Sequence, residues 1–291
     1  MRRALLALVV LLALAAPGDA RRPTALRGRG GPRLGNINVA QILGVSSSTL
    51  ALDTTAHPGG TANNITTNQS SGAWQNMVSP AFSTGAGPLI VVMGVFADGT
   101  GAPYTAGGAA SCTNCNTATV TKRVDQTVTT TGVQIWTFFS ASAALTNATV
   151  TFTANANLST QKAIINVWVI KGTPSTEAGT IGNTGGAKDP NLATTGSSGT
   201  INATVTPAAG GSWLLGVFSE ANDSTAITAD SNTSAWDLHF NTFTGGDVAA
   251  FGRYKVSGTV ATTSAGTPVT FGSSTADSFW STAALEIKTG P

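Results

Sequence analysis

The chain has 291 residues, and 10% of them are Asp, Glu, Lys or Arg, against about 25% in an ordinary soluble domain. Its two histidines are too few for a multi-histidine metal site. A formal charge of +2 gives no reason to expect nucleic-acid binding. With 41% apolar residues the chain has material for a real core and is not disordered overall.

The first 20 residues predict a secretory signal peptide. Arg2 and Arg3 precede an apolar run over 4–16, and small residues follow as far as Ala20. The run is shorter than the roughly 20 residues that a helix needs to cross a bilayer. We therefore expect cleavage after Ala20, export, and no transmembrane segment in the mature chain. An uncleaved N-terminal anchor is the alternative.

Residues 21–35 predict a disordered Arg/Gly-rich arm, because five arginines stand among glycines and prolines without apolar periodicity. The leader and the arm hold seven of the 15 Lys and Arg residues but one of the 13 Asp and Glu residues, a net charge of +6. Residues 34–291 hold eight Lys and Arg against twelve Asp and Glu, a net charge of −4. Electrostatic tethering to an anionic surface and a solvated linker are the two interpretations of the arm.

The remaining residues, 36–291, show strand patterns and no convincing helical periodicity. Apolar residues alternate with threonine or asparagine over 148–153 and 200–206, as in strands that bury one face. Other runs are apolar on both faces, which is typical of central strands, and they occur at 89–96, 164–170, 213–218 and 279–287. In the last of these runs Glu286 is expected on the solvent-facing side. The pattern predicts an all-β fold, an antiparallel β-sandwich.

A weak internal repeat divides this region into two similar halves. Residues 87–98 resemble 211–220, and each segment is followed by a polar stretch. Further matches follow in the same order: 134–139 with 249–255, 147–153 with 266–271, and 162–171 with 278–288. We expect one large sandwich, with a structureless joint over 172–200. Two sandwich domains, 36–185 and 186–291, are the alternative.

Cys112 and Cys115 stand in the sequence Cys-Thr-Asn-Cys, within a stretch rich in Gly, Ala, Thr and Asn. In a cytosolic βαβ protein this spacing would indicate redox chemistry. In an exported chain without a following helix it favours a local disulfide.

Carboxylates follow two of the buried strands and are the candidate metal or ligand groups. Asp98 follows the first strand, and Glu220 and Asp223 follow its repeat equivalent. Oxygen-rich loops suit Ca²⁺, so Asp98 and Asp223 are the predicted metal ligands, although no EF-hand spacing is present. A glycoside hydrolase centred on Glu220 is a weaker hypothesis, since no second carboxylate can be assigned to face it.

Trp74 and Trp236 lie in polar surroundings and are the candidate platforms for stacking on a sugar. The other four tryptophans fall inside strand patterns and are expected in the core. Asp237 and His239 lie two residues apart on one strand face, but no Gly-x-Ser-x-Gly elbow supplies a nucleophile. We therefore assign no catalytic residue.

From about Gln69 to Lys288 the chain resembles a jelly-roll-like β-sandwich module of secreted and surface proteins of bacteria, whose function is largely uncharacterised. The segments that carry the resemblance are 135–137, 145–151, 211–217 and 279–287. The resemblance implies a jelly-roll-like fold and extracellular display, often beside adhesion or carbohydrate-binding modules. It implies no catalytic residues. The cysteine loop and the Arg-rich arm depart from that pattern.

Three functions remain open. The first is a secreted or surface-displayed, non-catalytic module that binds polysaccharide or a cell-surface glycan, or mediates adhesion. Its ligand-binding residues would be Trp74, Trp236, Glu220 and Asp223. The second is a self-associating structural subunit of an extracellular layer, filament or virion-like assembly. The third is the hydrolase centred on Glu220.

Overall fold

The computed structural model describes residues 49–69, 74–99, 108–116, 119–127, 131–141, 143–158, 161–189, 199–220, 227–233, 235–241, 243, 247–277 and 280–290. The predicted signal peptide (1–20) and arm (21–35) lie outside these residues, as does Asp223. Within the described residues nearly all regular structure is β-strand, which confirms the predicted all-β class.

The described strands of the first half are β1 (Ala51–Leu52), β2 (Thr66–Gln69), β3 (Trp74–Val78), β4 (Leu89–Gly99), β5 (Ala109–Thr113), β6 (Thr119–Thr127), β7 (Thr131–Ser140), β8 (Thr149–Leu158) and β9 (Gln161–Lys171). A large antiparallel sheet has the order β9-β4-β7-β6, with β1 and β2 both paired to β9. A small sheet has the order β3-β8-β5. Counted from β2, strands 1-8-3-6-5 share one sheet and 2-7-4 the other. This is a jelly-roll-like order in which strand 5 (β6) pairs within the large sheet.

The described elements of the second half are a single-turn helix α1 (Glu177–Thr180) and strands β10 (Ile181–Lys188), β11 (Gly199–Val205), β12 (Trp213–Glu220), β13 (Leu238–Phe240), β14 (Val248–Arg253), β15 (Lys255–Val256), β16 (Thr259–Val260), β17 (Val269–Asp277) and β18 (Trp280–Ile287). The large sheet has the order β10-β18-β12-β14-β13, and β11 pairs with β17. The order of this large sheet repeats that of the first half, β2-β9-β4-β7-β6, strand for strand, whereas its small sheet has two described strands and that of the first half has three. The described residues therefore form two halves whose large sheets share one jelly-roll-like order, as the internal repeat predicted, and we call these halves the two jelly rolls.

The four sheets stack as layers with three hydrophobic cores between them. Because side chains alternate along a strand, odd-numbered residues of β4 enter one core and even-numbered residues enter the next. The first core lies between the small and large sheets of the first half and includes Met77, Met93, Phe152 and Val167. The middle core lies between the two large sheets and includes Phe96, Trp168, Leu215 and Phe251. The third core includes Ile201, Phe218, Phe271 and Trp280.

The two large sheets face each other with their strand orders reversed. Strand β9 lies opposite β14, where the rings of Trp168 and Phe251 are 6.1 Å apart. At the other margin β6 lies opposite β10, where Lys188 Nζ donates to the Thr127 carbonyl. Equivalent strands of the two large sheets run in the same direction, but their order across the sheet is reversed. An approximate two-fold axis parallel to the strands therefore relates the two sheets. Strands β4 and β12 therefore end at the same end of the stack, which we call the loop end.

Three local expectations were wrong. The joint over 172–200 contains α1 and β10, because β18 needs an edge partner. Three of the eight residues of β10 are glycines, so the sequence shows no strand pattern there. Gly185 has no room for a side chain, because a Cβ at this position would lie 2.1 Å from the Thr204 carbonyl oxygen. Glu286, read as solvent-facing, is fully buried. The repeat alignment pairs Phe96 with Phe218, but the two side chains enter different cores. A shift of one residue along a strand moves a side chain to the other face of the sheet.

Candidate functional site

The loop end holds the candidate carboxylates at the ends of β4 and β12. Asp98 is the penultimate residue of β4, and Glu220 is the last residue of β12. Both strands therefore end at one end of the stack. Connecting segments carry function more often than the strands that hold them.

Asp98 and Glu220 face different layers. Asp98 shares the parity of Phe96 and lies on the side of the middle core, whereas Glu220 shares the parity of Phe218 and lies on the side of the third core. Glu220 is completely buried, opposite Val248 and Trp280. The two carboxylates consequently do not converge on one point.

Asp98 belongs to an ionic cluster that joins the two halves. It stands directly opposite Lys162 in the β4–β9 pairing, with Lys162 Nζ 4.0 Å from Asp98 Oδ2. The same Nζ contacts Oδ2 of Asp247, which immediately precedes β14. The three side chains are 15%, 16% and 4% exposed for Lys162, Asp98 and Asp247. A lysine of one jelly roll is thus held against a carboxylate of the other.

No group of three or more His, Cys, Asp or Glu side chains within the described residues is arranged to hold a metal ion. Asp98 is engaged with Lys162, and Asp223 lies outside the described residues. Calcium binding at the loop end therefore stays a prediction.

The two candidate sugar platforms have different surroundings. Trp236 is half-buried, its ring is 5.3 Å from that of Phe218, and its Nε1 donates to the Ile227 carbonyl at 3.0 Å. Part of its indole is therefore committed to the third core. Trp74 begins β3, and its backbone pairs with Leu158. Its side chain lies outside the described part of the chain.

Asp237 and His239 are two residues apart, but Asp237 is paired with other groups. Its carboxylate accepts from Trp168 Nε1 at 3.0 Å, binds the Arg253 guanidinium through both oxygens, and lies 3.3 Å from Lys255 Nζ. Among the described residues His239 Nε2 has no hydrogen-bond partner, and burial lowers the pKa of this imidazole.

At the opposite end of the stack, Glu286 ties connecting segments to the sheets. Oε2 accepts from the backbone N–H groups of Asn183 and Ala208, both at 2.8 Å, and Oε1 accepts from Ala209 N–H and Ser212 Oγ. Burial by itself raises the pKa of Glu286, but these four hydrogen bonds outweigh it and hold the pKa below its usual range. No sequence motif signalled this role.

His57 is a second structural residue that sequence reading left unassigned. It is fully buried, and its Nε2 accepts the Val169 N–H of β9 at 2.9 Å. The ring proton therefore sits on Nδ1, which faces Asn64 Oδ1 and the Thr61 carbonyl. Burial lowers the pKa of His57 and so favours the neutral ring. The neutral ring binds the segment around His57 to β9 through the Val169 N–H.

Cys112 and Cys115 form a disulfide with Cα atoms 5.6 Å apart, in agreement with the predicted local bridge. Cys112 lies on β5 and Cys115 in the turn that follows. No helix within the described residues is long and apolar enough to cross a membrane.

Comparison of the chain with protein-family models, with curated protein sequences and with solved structures finds no match.

Proposed function

We propose that the chain is a secreted or surface-displayed, non-catalytic binding module, and that its ligand-binding surface is the loop end. One observation carries the proposal: β4 and β12, the central strands of the two jelly rolls, end together, so both halves contribute to one surface. At the opposite end the segment between β11 and β12 is held in place, because the Glu286 carboxylate accepts hydrogen bonds from the Ala208 and Ala209 N–H groups.

Carbohydrate, as polysaccharide or cell-surface glycan, is the ligand class that we favour. The chain is poor in charge, and residues 221–226 supply Asn, Asp, Ser and Thr, whose side chains hydrogen-bond to sugar hydroxyls. Trp74 begins a strand at the loop end and is the leading stacking residue. Asp223 is the candidate Ca²⁺ or polar contact there, because Asp98 is paired with Lys162 and Glu220 is fully buried.

A glycan panel tests the proposal on the full chain, in Ca²⁺ and again in EDTA. We expect saturable binding to one glycan class, and at least a tenfold loss in Trp74→Ala with an unchanged melting temperature. Lys288→Ala, at the opposite end, is the matched control and should bind as the unmodified chain does. Absence of binding in both buffers contradicts the proposal, and loss in EDTA alone supports the metal.

A structural subunit is the second candidate, favoured by the outer faces of the small sheets. Thr149, Thr151 and Thr153 of β8 stand opposite Thr113, Ser111 and Ala109 of β5. Thr204 and Thr270 bond through their hydroxyls at 2.7 Å on the other outer sheet. Uncharged faces of this kind suit packing between copies. Concentration-dependent assembly in sedimentation, without glycan binding, would favour this function.

A hydrolase centred on Glu220 is the weakest of the three, since this carboxyl is fully buried. Glu220→Gln decides it: any hydrolysis that survives the substitution does not depend on Glu220.

A further inference from the structure

We infer that Lys162 and Asp247 are the reactants of an intramolecular amide bond that joins the two jelly rolls covalently. Lys162 Nζ contacts the Asp247 carboxylate across the seam between the large sheets. A second carboxylate, that of Asp98, lies 4.0 Å from the same nitrogen. An amine, a carboxyl to condense with it and a neighbouring acid to carry protons are the groups that such a reaction needs.

The fold holds these groups in place before any bond forms. Asp98 and Lys162 are fixed opposite each other by the β4–β9 pairing, and Asp247 is fixed at the start of β14. Well-oriented intramolecular reactants reach effective molarities of about 10⁵–10⁸ M. The attack therefore needs no activated co-reactant.

The surroundings favour the uncharged product. Phe96 precedes Asp98 by two residues on the same face, its ring is 5.4 Å from that of Phe243, and Phe243 lies 4.5 Å from Phe240. The side chains of Lys162 and Asp247 are only 15% and 4% exposed, and burying an ammonium and a carboxylate is costly unless they are paired. Condensation replaces both charges by one neutral amide and releases water to solvent.

The step balances without an external reagent. One ammonium proton moves to the Asp247 carboxylate, and the resulting neutral Nζ attacks Cγ, so that a C–N bond forms. A second nitrogen proton passes through Asp98 to the Cγ hydroxyl, the C–O bond breaks, and one water leaves. The third proton remains on the amide nitrogen.

Other lysine–carboxylate pairs in the described residues lack this arrangement. Lys255 lies 3.3 Å from Asp237, but that carboxylate is also held by Arg253 and Trp168. Lys171 lies 2.9 Å from Asp53, but that carboxylate also accepts three backbone N–H groups, and Lys171 is 30% exposed. Lys122 and Asp125 form a partly exposed pair three residues apart on one strand. These pairs are expected to remain ionic.

Intact mass spectrometry of the purified, reduced chain tests the inference. We expect the chain to be lighter than its sequence mass by one water, and trypsin to leave residues 124–171 joined to 189–253 through Lys162 and Asp247. A chain at full sequence mass overturns the inference.

Variants separate the bond from other dehydrations. Asp98-Gly99 is a sequence that can lose water as a cyclic imide, but Lys162→Arg removes only the nucleophile and should restore the full mass. Lys188→Arg, a conservative change at the same end, should remain one water lighter. A Lys162→Arg chain that is still one water lighter overturns the inference. Asp98→Asn should accumulate the unbonded form, and bonding at the unmodified rate would contradict the role of Asp98 in proton transfer.

Discussion

The carboxylate of Asp237, in the second jelly roll, accepts a hydrogen bond from the indole Nε1 of Trp168, in the first, at 3.0 Å. The Asp237 side chain is 3% exposed and is also paired with Arg253 and Lys255. A buried carboxylate with three donors from two halves of the chain fixes how the large sheets meet. The relation between the halves is thus set by polar as well as apolar contacts.

Replacing Asp237 by Ala should destabilise the chain by about 3–5 kcal/mol, because it leaves two buried cations and an indole N–H without their acceptor. The urea midpoint measures the loss. Asp125→Ala is the control, because Asp125 is 22% exposed and pairs with Lys122, although it also accepts from Thr127 and Gln134. A smaller loss is expected there, since a partly exposed ion pair contributes about 0–1 kcal/mol. Equal losses in the two variants would show that the Asp237 network contributes little.

Gly94→Ala should lower stability by about 1–3 kcal/mol through overpacking of the middle core. A Cβ at Gly94 would lie 2.7 Å from Val217 and 2.9 Å from Phe251, both in the facing sheet. Gly210→Ala is the matched control, because its Cβ would meet only the Thr263 carbonyl oxygen at 3.8 Å. Thermal unfolding compares them, and a neutral Gly94→Ala would mean that the sheets lie further apart.

His57 should make the chain acid-sensitive near neutral pH. Its pKa is lowered by burial, so the unfolded chain binds a proton more readily than the folded one. Its contribution is complete above the unfolded pKa of about 6.5 and is lost as pH falls from there toward the folded pKa. His57→Gln should be less stable at pH 7.5 and show a shallower decline between pH 7 and 5. An unchanged slope in urea melts across this range would contradict the assignment.

Glu286→Gln should cost about 2–4 kcal/mol, because an amide presents N–H groups to a site built from four donors. The pKa of Glu286 is lowered in the fold, so its stabilisation is present above about pH 4.5 and is lost as pH falls through the folded pKa. Urea unfolding at pH 7 and pH 4 measures both effects. Glu177→Gln, at a 26% exposed ion pair with Arg123, should change stability little.

Local pattern predicted the strands and the repeat because alternation and apolar runs report directly on burial. It failed for residues whose partners are distant in sequence. Glu286 is satisfied by Asn183, 103 residues away, and its strand parity alone placed it in solvent. The Trp168–Asp237 contact spans 69 residues, and no spacing rule encodes it. The sequence located the candidate carboxylates only to the ends of two strands. It did not show which core each carboxylate faces, because that depends on the register of the strands.

The central claim is that two jelly rolls share one middle core and therefore present one loop end. Differential scanning calorimetry of the full chain tests it most directly. We expect one transition with equal calorimetric and van't Hoff enthalpies. Gly94→Ala should shift this whole transition to lower temperature. Two resolved transitions, with Gly94→Ala moving only the one that belongs to the first half, would contradict it.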